Sequence, residues 1–436
     1  MEKVDRLICA AHVVPVEPRG ALADHAVAVK DGRIVALLPA ADAIARYDAG
    51  EIVRLDRHVL MPGLVNLHCH AAMSLMRGIA DDVPLMTWLQ QHIWPAEAKH
   101  VNDEFVHDGS LVAMAEMIRG GTTCVNDMYF FPEATARAAL RIGMRASLGM
   151  IAIEFPSAYA PDANGYLQKG FAARNEFRGE PLLTFCLAPH APYTVGDETL
   201  KRIAVLAEEI DVPIHCHVHE TREEIAQGLA KDGVRPFERL RRLGVVGPRL
   251  IAVHAVHLED TELEVMAREG VSVAHCPSSN LKLASGVAPV SAMRSRGIRV
   301  GLGTDGAASN NRLDLFTEAR TAALIAKAAS GDAAAIPAAE AIEMATIEPA
   351  RALGLDRRIG SIAPGKAADL IAVELSSLEN LPCYDPVSHL VYAAGREHVT
   401  HVWIDGRARL NERKLVDIDE RDLENKARWW QRRLTA

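Results

Sequence analysis

The chain has 436 residues, of which 49% are hydrophobic and 24% charged, and its formal net charge is −9. That length allows a large core or a barrel with an appended module, and the acidic balance without any basic block excludes nucleic acid and anionic membrane as natural partners. The seven cysteines (Cys9, Cys69, Cys124, Cys186, Cys216, Cys276 and Cys383) form no CxxC and sit mostly in apolar runs, so they read as free thiols of a reducing cytoplasm. MEKVDRLICA lacks the long apolar stretch of a signal peptide, and no run of about 18 apolar residues is present to span a membrane.

In chain order, residues 1–57 alternate short apolar runs with turn signals, as in Ala26–Val29, KDGRIVAL and EIVRL. Short strands are expected there. From 58 to 360 the pattern becomes a short apolar run with a polar end, followed by a longer helical stretch. Eight such runs occur: Leu64–His70, Thr122–Asp127, Ala146–Met150, Leu182–His190, Pro213–Glu220, Leu250–His257, Val271–Pro277 and Val300–Asp305. Amphipathic stretches lie between them, among them Leu111–Arg119, Leu200–Ile210 and Leu313–Ala326. The Ala-rich segment Ala319–Ala341 is helix-forming sequence broken near Gly331 and Pro337.

This alternation predicts an α/β protein with a parallel sheet, and eight units predict a closed (β/α)8 TIM barrel. An open doubly wound sheet would bring fewer strands and a Gly-rich phosphate turn, and the chain has neither GxGxxG nor Walker A sequence. From about 361 strand-like sequence returns in GKAADLIAVEL and VTHVWIDGRARL, and a final helix is expected over about Glu420–Arg433. The two ends, 1–57 and 361–436, are predicted to pair into one small β-sandwich domain beside the barrel at 58–360.

Catalytic groups of a barrel belong at the C-terminal ends of its strands, and the histidines collect there. Of 18 histidines, His68, His70, His190, His217, His219, His254, His257 and His275 fall in or just after the eight runs, with His215 besides. His68 and His70 are two apart on a strand, so both imidazoles face the barrel interior. Converging neutral imidazoles suit Zn²⁺; the competing reading is a hydrogen-bonded buried pair. Glu220 follows His217 by three, the spacing of a ligand and an acid–base carboxylate, which favours His217 over His215 and His219. The alternative for Glu220 is a carboxylate at the start of the next helix. Asp305, flanked by glycines in GLGTDGAASNN, can complete a metal sphere and take a proton from water, or merely cap a turn. His254 and His257 compete for the role of orienting the water. Strand four ends in Pro189-His190 with no lysine to bridge two metals, which favours one metal per chain.

MPGLVNLHCH, HVHETREE, IAVHAVHL and LGTDGAASNN resemble the amidohydrolase superfamily, in particular its 5'-methylthioadenosine/S-adenosylhomocysteine deaminases. The resemblance extends over essentially the whole chain, through MSLMRGIADDVPLMTWL and IGSIAPGKAADLIAVEL. It implies zinc held by His68, His70, His217 and Asp305, and catalysis by Glu220 and His254 with Asp305. It also implies Glu97 at the ribose hydroxyls, His190 against the purine, and Trp88 and Ser309 as further pocket residues. Taken alone, Glu97 reads as a carboxylate at a helix start and Trp88 as helix packing. The implied reaction is hydrolytic deamination of an adenine nucleoside thioether, or of adenosine, to the inosine analogue and ammonia by zinc-activated water. Glu220 would protonate N1 and Asp305 would take the water proton. A homo-oligomer is also implied.

Fe²⁺ or Mn²⁺ could occupy the same ligand set. The same motifs fit a guanine-type deaminase or an s-triazine amino- or chlorohydrolase, and a different class, a barrel kept as a catalytically dead scaffold, would be expected to have lost ligands. The loop EFPSAYAPDANGY carries no basic group, which favours the uncharged methylthio tail, while Arg174 and Arg178 nearby have no predictable aim.

Overall fold

The structure, a computed structural model, describes residues 1–435. Four strands open the chain: β1 (Glu2–Val13), β2 (Leu22–Lys30), β3 (Arg33–Pro39) and β4 (Tyr47–Pro62). Eight follow at the predicted places: β5 (Leu64–Cys69), β6 (Thr122–Asp127), β7 (Arg145–Ala152), β8 (Leu183–Pro189), β9 (Ile214–Val218), β10 (Leu250–His254), β11 (Ser272–His275) and β12 (Arg299–Leu302). Four more close it: β13 (Leu370–Glu374), β14 (Val399–Ile404), β15 (Arg407–Asn411) and β16 (Lys414–Leu415).

The terminal segments share one mixed eight-stranded sheet, in the order β16-β15-β14-β13-β4-β1-β2-β3. β4 is its hinge, parallel to β1 on one side and antiparallel to β13 on the other. The β2–β3 hairpin turns at Asp31-Gly32, both at positive φ (49° and 74°), which is the geometry that Asp-Gly favours. A Cβ at Gly32 would lie 2.6 Å from the Asp405 carbonyl oxygen, so the β14–β15 turn can approach only because glycine stands there.

β5 to β12 are parallel and neighbour one another in chain order. β5, β6 and β7 are buried at every position, as strands of a parallel sheet covered on both faces are. The barrel shuts between β12 and β5. There the Asp305 N–H donates to the His68 carbonyl (3.0 Å), and the Asn66 amide accepts from the Thr304 N–H (3.0 Å) and donates to its hydroxyl (2.7 Å). Gly303 permits this approach, since a Cβ would stand 2.9 Å from His68 Cβ. The seam thus fixes Asp305 against His68.

Helices Asp103–Arg119, Asp197–Glu209 and Leu315–Ser330 cover the barrel, with Asn102 and Asp314 capping the first and third. The Ala-rich stretch breaks at Gly331, in the left-handed conformation, and resumes at Ala338–Ala345 after Pro337. The last helix, Glu420–Leu434, returns to the barrel: Trp430 and Lys426 both donate to the Asp108 carboxylate, at 3.1 and 2.8 Å. Among the described residues no helix is long and apolar enough to cross a membrane.

One buried ion pair ties barrel to sheet. Arg145 at the start of β7 makes two hydrogen bonds to Asp369 (2.9 and 3.1 Å), with the side chains only 2% and 1% exposed. Arg145→Met should cost about 3–5 kcal/mol, because it strands the Asp369 charge away from water. A urea melt checks this; an unchanged midpoint would contradict it.

Candidate active site

Every barrel strand ends at one face, and the side chains singled out from sequence meet there. β5 delivers His68 and His70 two residues apart, β9 delivers His217, β10 ends at His254, and Asp305 follows β12. His70, His217 and His254 stack in parallel, adjacent ring centres 5.4 Å apart and planes 21° apart. The His68 ring stands nearly perpendicular to all three, at 87°, 88° and 76°. Asp305 Oδ1 lies 3.3 Å from His68 Nε2 and 3.4 Å from His70 Nε2.

Each imidazole is held from behind by its Nδ1. The His70 Nδ1–H donates to the Met128 carbonyl at 2.6 Å, and the His217 Nδ1–H to the His190 carbonyl at 2.7 Å. A carbonyl can only accept, so in the neutral rings both Nε2 atoms present lone pairs to the centre. His254 Nδ1 meets Asn280 Oδ1 at 2.8 Å, and His68 Nδ1 meets His215 Nε2 at 2.9 Å. Such outer partners are what orients metal-binding histidines.

The donors fit a divalent cation. His68 Nε2 is buried and, despite its nearness to Asp305, makes no hydrogen bond. One donor atom each from His68, His70 and Asp305 lies within 4.8 Å of the others, and so do those of His68, His217 and His254. Three imidazoles and a carboxylate are a donor set that Zn²⁺ accepts. Burial disfavours the protonated form of two of these rings: His68 is pushed down to about 4, and His217 falls well below the usual range. For Asp305 burial works in the opposite direction, but the adjacent His68, with His70 and His254, holds its carboxyl well below the ordinary value. The other Asp305 oxygen accepts from the Ser279 hydroxyl at 2.6 Å.

Glu220 faces this cluster, its Oε2 3.8 Å from His254 Nε2. Burial, reinforced by the Asp305 charge, raises its carboxyl to about 8. It does not cap the following helix; Thr221 does. The Glu224 carboxylate fixes the turn instead, accepting from the His219 N–H (2.9 Å) and the Glu220 N–H (2.8 Å). His219, His254 and Asp305 all have left-handed backbones, with φ of 53°, 67° and 62°. Non-glycine residues held so cost about 1–3 kcal/mol each and gather where function demands them.

Above the cluster opens a cavity of about 780 Å³, counting its mouth, lined by His70, His217, His254, Glu220 and Asp305 at its base. Trp88, Glu97, His190 and Ser309 all line it too. The roof is the segment Leu85–Trp88, Leu89–Ile93 and Trp94–His100, in which a π-helical turn separates two α-helical pieces; such turns recur at functional sites. The Tyr129 hydroxyl donates to Glu97 Oε1 at 2.7 Å. Burial raises the Glu97 carboxyl to about 7, and the Tyr129 bond opposes the rise. Thr194 commits its hydroxyl hydrogen to the Ala191 carbonyl (3.1 Å), so the His190 Nδ1–H, 3.0 Å from that hydroxyl oxygen, donates to it. His190 Nε2 is then left as an acceptor.

The remaining histidines separate by position. His215 sits beneath His68, deeper in the barrel, with Asn126 donating to its Nδ1 at 3.1 Å. His219 is buried and accepts from the Phe237 N–H at 3.0 Å, away from the cavity. His257 meets the Ser285 carbonyl at 2.7 Å, which leaves His254 as the one beside Glu220. The His275 ring is buried, and neither of its nitrogens has a hydrogen-bond partner among the described residues. Sequence reasoning missed Ser279, Asn280, Glu224 and Tyr129. Ser279 and Asn280 stand side by side in the helix Pro277–Lys282 just after β11, and that strand-end position is the one signal that could have singled them out.

A family model described as the amidohydrolase family matches residues 59–409. The 5-methylthioadenosine/S-adenosylhomocysteine deaminase of Saccharophagus degradans is 46% identical over 433 residues, 99% of this chain and 97% of that one. The 5'-deoxyadenosine deaminase of Methanothermobacter thermautotrophicus is 41% identical, covering 92% of this chain and 93% of that one. A crystal structure of an adenosine deaminase from Xanthomonas campestris with bound zinc is 50% identical, covers 100% of this chain and 99% of its own, and superimposes with a TM-score of 0.98. The chain belongs to the amidohydrolase family, in its branch of 5-methylthioadenosine/S-adenosylhomocysteine deaminases.

Proposed function

We propose that the chain hydrolyses the 6-amino group of an adenine nucleoside bearing a 5' thioether, or of adenosine, to give the inosine analogue and ammonia. The observation that carries this reading is the convergence of His68 with His70 and Asp305, and of His68 with His217 and His254, beneath a cavity whose wall holds Glu220 at 3.8 Å from His254. His68, His70, His217 and Asp305 hold one Zn²⁺ per chain in this reading, with His254 left free beside Glu220. A zinc ion there supplies a water whose pKa falls from about 15.7 towards 7.

The side chains do the rest. Glu220, raised to about 8, is a carboxylic acid at neutral pH and gives its proton to N1, which makes C6 electrophilic. Asp305 accepts the proton of the attacking water, and His254, its ring fixed by Asn280, orients that water. Left as carboxylate, Glu220 takes up the proton that Asp305 accepted and passes it to the departing amine; ammonia leaves, and the C6 hydroxyl proton returns to Glu220 as the carbonyl forms. Glu97 accepts from the ribose hydroxyls with the oxygen that Tyr129 leaves free. His190 Nε2 accepts from the purine edge. Trp88 and Ser309 border the bound nucleoside.

The same proposal places the enzyme in the cytoplasm, as the seven unpaired cysteines suit a reducing compartment. It also makes the enzyme a homo-oligomer, following the family.

The zinc-loaded protein is tested with 5'-methylthioadenosine. Loss of the adenine absorbance with one ammonia per nucleoside is expected, and no product from guanosine or a chlorotriazine. Chloride release or guanine deamination, with adenine nucleosides untouched, would overturn the reading.

A further inference from the structure

A second cavity adjoins the first across Glu97. It measures about 840 Å³, counting its mouth, and Trp94, Glu97, Phe130 and Phe155 line both. Phe131 and Tyr159 complete its aromatic wall, and Ala158 lies exposed at its edge. Among the described residues no lysine or arginine lines it. The Lys169 ammonium is turned to the backbone: its Nζ donates to the Tyr159 carbonyl at 2.5 Å and rests 5.0 Å from the centre of that ring. The Ser157 hydroxyl oxygen on this wall is already engaged: it accepts from the Tyr166 hydroxyl at 2.6 Å and from the Tyr159 N–H at 3.0 Å.

We infer that this cavity receives the 5' substituent of the nucleoside, that it takes apolar thioether tails larger than methyl, and that it discriminates against a zwitterionic amino-acid tail. The inference rests on the deaminase reading of the neighbouring cavity. C3', whose hydroxyl Glu97 holds in the proposed reading, is one ring bond from C4', which carries the 5' group, so a ribose held at Glu97 on the shared wall directs its tail towards the second cavity. Aromatic walls reward apolar surface, about 0.8 kcal/mol per buried CH₂. An ammonium and a carboxylate would be stripped of water with no lysine or arginine on the wall to receive the carboxylate.

The zinc-loaded full chain is tested with adenosine, 5'-methylthioadenosine, its butylthio homologue and S-adenosylhomocysteine. Expected is a rise in kcat/KM of about fourfold per added methylene, 0.8 kcal/mol converted at 1.4 kcal/mol per decade, with the amino-acid tail below methylthio. Ala158→Trp should narrow the mouth and lower the butylthio-to-adenosine ratio. Ala158→Arg should raise the ratio of the amino-acid tail to methylthio by about threefold to tenfold. A flat or falling alkyl series, or an amino-acid tail equal to methylthio, overturns the inference while leaving deamination intact. Calorimetric binding of the butylthio inosine analogue, which is not turned over, decides the subsite separately. Affinity above that of inosine supports it even if no adenosine is deaminated, and equal affinity refutes it.

Discussion

Glu220→Gln is expected to lower turnover by about 10²–10⁴-fold, the usual contribution of a positioned acid–base group, while zinc content stays at one per chain. The amide keeps the shape and the turn held by Glu224 but cannot deliver a proton to N1. Wild-type kcat/KM should carry a matching signature. A carboxyl raised to about 8 is protonated at pH 7 and loses its proton as the pH passes 8, so activity that needs the acid declines above that point. Near-normal turnover of the zinc-loaded variant, or a flat alkaline limb, would remove Glu220 from the chemistry.

Asp305→Ala should have the larger effect. It removes the one carboxylate within 3.4 Å of both His68 and His70 Nε2, together with the acceptor proposed for the water proton. Zinc should fall well below one per chain, and turnover by more than about 10³-fold, because water without the ion returns from a pKa near 7 to about 15.7. Ser279 separates the two contributions. Ser279→Ala loses only the hydroxyl that steadies the second Asp305 oxygen, so it should retain more zinc and more activity than Asp305→Ala. Metal analysis beside steady-state kinetics checks both.

The parts legible in sequence are those fixed by local periodicity. The eight runs mark β5–β12 because strands covered on both faces are rich in apolar residues, and their polar ends mark the site because those ends open at one face of the barrel. His68 and His70 could be aimed by the two-residue repeat alone. What stayed hidden depends on contacts between distant segments. Asn280 reaches His254 across 26 positions, and Ser279 reaches Asp305 across the same span. The seam at Asn66 and Thr304 joins residues 238 apart. His217 was favoured over its neighbours by spacing, but the place of His215 beneath His68 required the three-dimensional stack. The loop at Phe155–Tyr159 read only as lacking basic groups; its place as the aromatic wall of a second cavity depends on Phe130 and Phe131 from another strand end.

The central claim is that one ion sits among four named side chains. Anomalous diffraction at the zinc edge, on crystals of the zinc-loaded protein, tests it most directly. The account predicts a single peak about 2.0–2.2 Å from Nε2 of His68, His70 and His217 and from a carboxylate oxygen of Asp305. A peak elsewhere, or one that omits His217 or Asp305, would contradict it.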